Sequence, residues 1–321
     1  MSVHVPVYLV FPLAPSAFLS KDDRMSLSNR LVRSLPVLAL MGLVFAATPA
    51  LADTVMLQAA GGITALAGQV LTADGKPITN VKLVDGGAKA LTDAQGRFLL
   101  TYAPSGDTVL TIDGRRSGPK GQEDRGVYKV RVTAQPGVTN SLPFISYLPI
   151  VDHGNEVSFS SPTTAEVVIK SRSVPGVELR IPAGTIVRDS DGDLVTKLGI
   201  TGYPAGRTPF PLPPHFDEAA NFTIQPGTLC FLRADGTAGS VQVRYPNTRH
   251  ELPRARATFF RYDVAQLGWT PYGIGTVGAD GKQVVPDGAT VLHDLDGECP
   301  PKPPHDDLMR QRQPRPAKGG N

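Results

Sequence analysis

Val174–Asp287 contains, in order, VPGVELRIPAGTIV, TPFPLPP, FTIQPG, VQVRYPNTRHELPRA, FFRYDVAQLGWTPYGIGTV and ADGKQVVPDG. Short apolar bursts are cut by Pro and Gly, and the polar residues collect mostly in the turns. That pattern predicts strands packed in layers, an all-β domain. It does not spell an active site.

Working outward, the whole chain agrees. Of 321 residues, 33 are Gly and 30 are Pro, as suits a β protein with many turns. Hydrophobic residues make up 41% and charged residues 19%, enough for a sizeable core and against a disordered chain. The formal charge of +3 comes from the ends. Residues 53–301 hold 23 basic and 25 acidic groups, so no basic face for nucleic acid is expected.

The N-terminus reads as an export signal starting at Met25. Arg30 and Arg33 supply a positive region, Leu35–Ala47 an apolar run, and Ala50-Leu51-Ala52 a cleavage site that leaves Asp53 as the mature start. The run is too short to span a bilayer comfortably, and Pro36, Thr48 and Pro49 bracket it. The expectation is an exported chain, periplasmic, cell-surface or extracellular, with no transmembrane segment after processing. Residues 1–24 read as a mis-assigned extension and 25–52 as the signal peptide.

Two cysteines in an exported chain invite a disulfide between Cys230 and Cys299. The equal alternative is a buried Cys230 and a free Cys299.

Residues 61–148 read as a first unit of short strands. Asp74-Gly75 with Pro77, Asp93-x-x-Gly96 and Asp113-Gly114 mark its turns. Gly68-Gln69-Val70, the Asp74–Pro77 turn, Asn80-Val81 and Leu91–Phe98 together resemble the carboxypeptidase regulatory-like domain. The resemblance implies a Greek-key sandwich of transthyretin type that is not catalytic. Residues 149–173 read as a linker with one transition strand, 174–297 as a second β-domain, and 298–321 as a disordered Pro-rich basic tail. PFPLPP (Pro209–Pro214) reads as a rigid crossover.

The two units in this order resemble the N-terminal region of secreted Rhs/YD-repeat proteins. The strings that carry the likeness are Ile181–Gly184, Pro209–Pro213, Gln225–Gly227, Tyr245–Asn247, Tyr262-Asp263, Gly268-Trp269, Tyr272-Gly273 and Asp280-Gly281 through Pro286-Asp287. The resemblance implies surface display or the packaging of a repeat shell, with no catalytic residues to carry over. The YD repeats are absent here.

Candidate chemistry is sparse. Asp189, Asp191 and Asp193 form a polar turn and a weak Ca²⁺ candidate. Counted as an EF-hand, the turn puts Leu194 and Ile200 where Gly and Glu belong. His293, Asp294, Asp296 and Glu298 are the densest polar group. No H-E-x-x-H, G-x-S-x-G or Walker loop is present, and no cofactor is expected. Trp269 and Tyr272 could form a binding surface. However, strand alternation puts Phe259 and Arg261 on one face and Phe260 and Tyr262 on the other, as in a strand between two layers. Asn221-Phe222-Thr223 is a glycosylation sequon.

The leading expectation is therefore a non-enzymatic exported structural or display protein. The alternative is an extracytoplasmic module that binds carbohydrate or an envelope protein through loops of the second domain. A hydrolase with an unrecognised site is the third reading.

Overall fold

The computed structural model describes residues 6–10 as backbone, and residues 56–295 except 190–191, 205, 213–220, 226–228 and 265–267. The chain is all-β. Strands make up 47%, arranged in several antiparallel sheets without a closed barrel. The described residues contain no α-helix, only a 3-10 turn at His153–Asn155. No helix among them is long and apolar enough to cross a membrane.

Strand β1 is Pro6–Val10. The first sandwich comprises β2 (Ala65–Leu71), β3 (Lys82–Asp85), β4 (Ala88–Leu91), β5 (Arg97–Thr101), β6 (Gly106–Asp113), β7 (Val127–Ala134), β8 (Thr139–Ser141) and β9 (Ser146–Tyr147). One sheet runs β5-β2-β8, with β9 also on β2; the other runs β4-β3-β6-β7. Strands β8 and β9 pair with β2 in parallel. Pro143, which has no N–H to give, falls in the break between them. Leu66, Val70, Phe98 and Leu100 of one sheet and Leu83, Leu110, Ile112 and Val130 of the other share a core.

The turn before β5 shows how sequence sets this geometry. The Asp93 carboxylate accepts the backbone N–H of Gln95 (2.9 Å) and of Arg97 (2.8 Å). Gly96 has φ +70°, and a Cβ there would lie 2.3 Å from the Val70 carbonyl oxygen. Phe98 then returns to the core, fully buried. The buried Thr92 hydroxyl accepts from Val81 N–H (2.9 Å) and donates to the Ile78 carbonyl (2.7 Å), fastening the turn to the strand beside it.

The second region comprises β10 (Val157–Ser158), β11 (Val167–Lys170), β12 (Glu178–Ile181), β13 (Ile186–Arg188), β14 (Lys197–Tyr203), β15 (Asn221–Gln225), β16 (Cys230–Leu232), β17 (Gln242–Pro246), β18 (Arg256–Asp263), β19 (Gly268–Val277) and β20 (Gln283–Pro286). Ten strands form one sheet in the order β10-β14-β15-β1-β18-β19-β20-β17-β12-β11, and β13 pairs with β16. The core holds Leu179, Ile181, Ile200, Phe222, Phe231, Val243, Tyr245 and Phe259.

Two arrangements differ from a chain of separate beads. Pro6–Val10 lies inside the large sheet, antiparallel to both neighbours, although the sequence reading put it in an extension. The core of the first sandwich also extends into the second region, taking in Tyr203, Phe210 and Tyr262. Strand β18 serves both cores: Phe259 faces one and Tyr262 the other. The Phe210 ring stacks on Tyr262 at 4.8 Å and meets Tyr128 edge-on at 6.5 Å. Tyr262 Oη accepts the backbone N–H of Arg131 at 3.2 Å.

Candidate functional site

The first sandwich carries an open cleft of about 840 Å³, lined by Asn80, Lys82, Leu91, Asp113, Arg115, Arg116, Pro119, Lys120 and Gly121. Its wall is the loop between β6 and β7, and that loop is tied down at several points. Gly114 N–H donates to the Gly126 carbonyl (2.8 Å), and Ser117 and Glu123 exchange backbone bonds (3.1 and 3.2 Å). Asn80 Nδ2 donates to the Gly118 carbonyl (3.0 Å). Arg125 anchors the base: it donates to the Leu148 carbonyl (2.7 Å) and to Glu123 Oε2 (2.8 and 3.0 Å).

The electrostatics of the cleft are one-sided. Arg115 grips Asp113 with two bonds, 2.9 and 2.7 Å. Burial alone would raise the Asp113 pKa, but the Arg115 fork, a backbone bond and the nearby Lys82 charge hold it below the usual carboxylate range. That pair is neutral overall. Lys82, Arg116 and Lys120 form no ion pair among the described residues. Leu91, 59% exposed, supplies an apolar edge. The cleft can hold an anion with a modest apolar part, and it holds no nucleophile with a base beside it. Composition could not reveal it, because residues 80–82, 91 and 113–121 meet only through the β4-β3-β6 pairing.

The residues singled out from sequence fall elsewhere. Trp269 is half-buried: its ring meets Tyr262 at 5.4 Å and Phe210 at 5.6 Å, and its indole N–H donates to the Pro211 carbonyl (3.0 Å). It closes the joint between the two cores. Tyr272 faces the other way, with its hydroxyl 2.9 Å from that of Tyr245. Burial pushes both hydroxyls' pKa values up. A small cavity of about 210 Å³ beside Tyr272 also takes in Arg261, His293 and Asp294. Arg261 is already paired with Asp294 (3.0 Å) and Asp263 (3.1 Å), and His293 Nδ1 lies 2.5 Å from the Gly239 carbonyl. Asp296 and Glu298 lie outside the described residues.

At the acidic turn, Asp189 spends one carboxylate oxygen on Asp193 N–H (3.0 Å), closing its own turn, while Asp191 lies outside the described residues. No group of three or more His, Cys, Asp or Glu placed to hold a metal occurs among the described residues. Cys230 is disulfide-bonded; the other cysteine of the chain, Cys299, lies outside the described residues. The sequon residue Asn221 is 2% exposed in the middle of a sheet, so the folded chain offers no acceptor there.

A charge cluster missed by the sequence reading links the two regions. His153 sits between Glu156 (2.9 Å) and Asp124 (3.0 Å), and Glu156 also holds Lys197 (2.9 Å). The bonds to Glu156 and then Asp124 raise the His153 pKa above its ordinary value, against the opposing effect of burial.

No protein family model matches the sequence, and no curated protein matches it. Among solved structures the chain is similar to the Bacillus anthracis TIE protein, at 12% identity and a TM-score of 0.21. The match covers 70% of this chain and 44% of that one. A likeness at that level carries no argument about fold or activity.

Proposed function

We propose that this chain is a non-catalytic exported structural module, the lead segment of an Rhs-like surface or secreted protein. The observation that carries the reading is the shared aromatic joint of Tyr128, Tyr203, Phe210 and Tyr262, which carries the core of the first sandwich into the second region. A body joined in that way suits a rigid spacer or lead segment. Expression of the full chain in a secreting bacterial host tests the export part. The expected result is an N-terminus at Asp53 on exported material; an intact leader on cytosolic material would contradict it.

The cleft favours a second reading, a module that binds an anionic envelope component such as an acidic polysaccharide. The positive groups of Lys82, Arg116 and Lys120 support it, and on this reading the ligand would bind the first sandwich instead of the Trp269 region. Titration of the full chain with an acidic polysaccharide checks this. Binding should weaken as salt rises and be lost in the triple variant Lys82→Glu, Arg116→Glu, Lys120→Glu. Equal binding by the variant would exclude the cleft.

A further inference from the structure

Strand β1 is an interior strand of the ten-stranded sheet, supplied from far along the chain. β1 pairs with β15 on one side and β18 on the other, with Val7 opposite both Phe222 and Arg261. Both pairings are antiparallel, so β15 and β18 run parallel to each other, about 9.5 Å apart at two ladder spacings. Without β1 the sheet divides into β10-β14-β15 and the six strands from β18 to β11. Two unpaired edges would then face each other across one strand's width.

Packing sets that width. The Tyr245 ring lies under the gap, touching Phe222 of β15 (5.5 Å) and Phe259 of β18 (4.8 Å). Closing the edges directly would drive those rings together in a core that has no room for it.

The β15 wall of the slot carries a polar face. Asn221, Thr223 and Gln225 alternate along β15 on the face away from Phe222, each at most 2% exposed. Thr223 lies beside the Tyr203 hydroxyl. The side-chain amides of Asn221 and Gln225 have no hydrogen-bond partner at all among the described residues. Buried amides left unpaired are costly, and a cross-strand polar neighbour is what satisfies them. In register, Thr223 is opposite Pro6 and Phe222 is opposite Val7.

We infer that the slot between β15 and β18 is a strand-acceptor site for a partner polypeptide. The occupant is an extended segment that alternates, with apolar residues toward Phe222 and Phe259 and small polar residues toward Asn221, Thr223 and Gln225. Main-chain ladders on both sides would supply affinity, and the polar wall would supply selectivity. The inference rests on the export reading only for when the slot empties, which N-terminal sequencing tests separately.

The test uses the full chain with a specific protease site placed within residues 13–52, cut after folding and exchanged in mild urea. Three labelled 11-residue peptides are offered: the sequence of residues 2–12, the same with Pro6→Thr and Tyr8→Ser, and the same with Leu9→Pro. The cut chain should take up one peptide per molecule while the uncut chain takes none. The polar-substituted peptide should bind at least tenfold more tightly than the leader sequence, and the Leu9→Pro peptide at least tenfold more weakly. The tenfold gain should vanish in the chain variant Asn221→Leu, Gln225→Leu. Failure of the cut chain to take up peptide, or equal binding of the Leu9→Pro peptide, would overturn the slot. Equal or weaker binding of the polar peptide would make the leader the slot's own occupant and overturn the partner.

Discussion

The two regions close their sheets by different means. In the first sandwich the fastenings are short in sequence: Asp93 holds Gln95 and Arg97, Thr92 ties back to Ile78 and Val81, and Arg125 pairs with Glu123. In the second, among the described residues, the strands that flank the middle of the large sheet are linked by backbone pairing through β1, from more than 200 residues away along the chain. Local turns fasten much of the first sandwich, although β8 and β9 reach β2 from over 70 residues away. In the sheet completed from far away, the buried side-chain amides of Asn221 and Gln225 find no hydrogen-bond partner among the described residues. The two regions then meet in one aromatic joint, which couples their stabilities.

The joint and the local turns should show the largest effects. Phe210 is buried among Tyr128, Tyr262 and Trp269. Phe210→Ala should cost about 3–5 kcal/mol in chemical denaturation, with both regions shifting together. A shift confined to one transition would separate the regions. Gly96→Ala should cost about 3 kcal/mol, since a Cβ would both strain a positive φ and strike the Val70 carbonyl.

A matched pair of polar-to-apolar changes sharpens the contrast. Thr92→Val removes two bonds and strands the buried Val81 N–H, so it should destabilise by about 1–3 kcal/mol. Asn221→Leu removes a buried amide that has no partner among the described residues, so it should stabilise by about 1 kcal/mol. Like signs for both, measured in the same denaturant, would erase the distinction.

The smallest effect belongs to His153. Its folded pKa is raised, so the stability it contributes is fully present below its ordinary value of about 6.5 and is lost as pH rises through the folded value. The side chain is 57% exposed, so the change should be a fraction of a kcal/mol. Denaturation across that pH range should show a slope that His153→Ala removes; an unchanged slope would place its origin elsewhere.

What the sequence disclosed divides by separation along the chain and not by region. The all-β class, the turn at Asp93–Gly96 and the return of Phe98 to the core were legible because each depends on residues within a few positions of one another. The two-faced character of Phe259–Tyr262 was legible from alternation alone. The parallel pairing of β8 and β9 with β2 was not, since register between distant strands is fixed by packing and not by local preference. The cleft was hidden for the same reason: Lys82, Arg116 and Lys120 look like ordinary solvated charges until the fold gathers them. Trp269 stood out as the chain's single tryptophan, yet its place is in the joint. The position of Pro6–Val10 was unreadable because residues 1–24 read as an extension outside the fold, and its partners lie more than 200 residues away.

The central claim is that one aromatic joint ties the first sandwich to the large sheet so that the two unfold together. Native-state hydrogen exchange of the full chain, resolved by peptide mass spectrometry, tests it most directly. The backbone amides of Val127–Ala134 and of Arg256–Asp263 should open with the same free energy and the same dependence on denaturant. Two distinct plateaux, with one segment exchanging while the other stays protected, would contradict it.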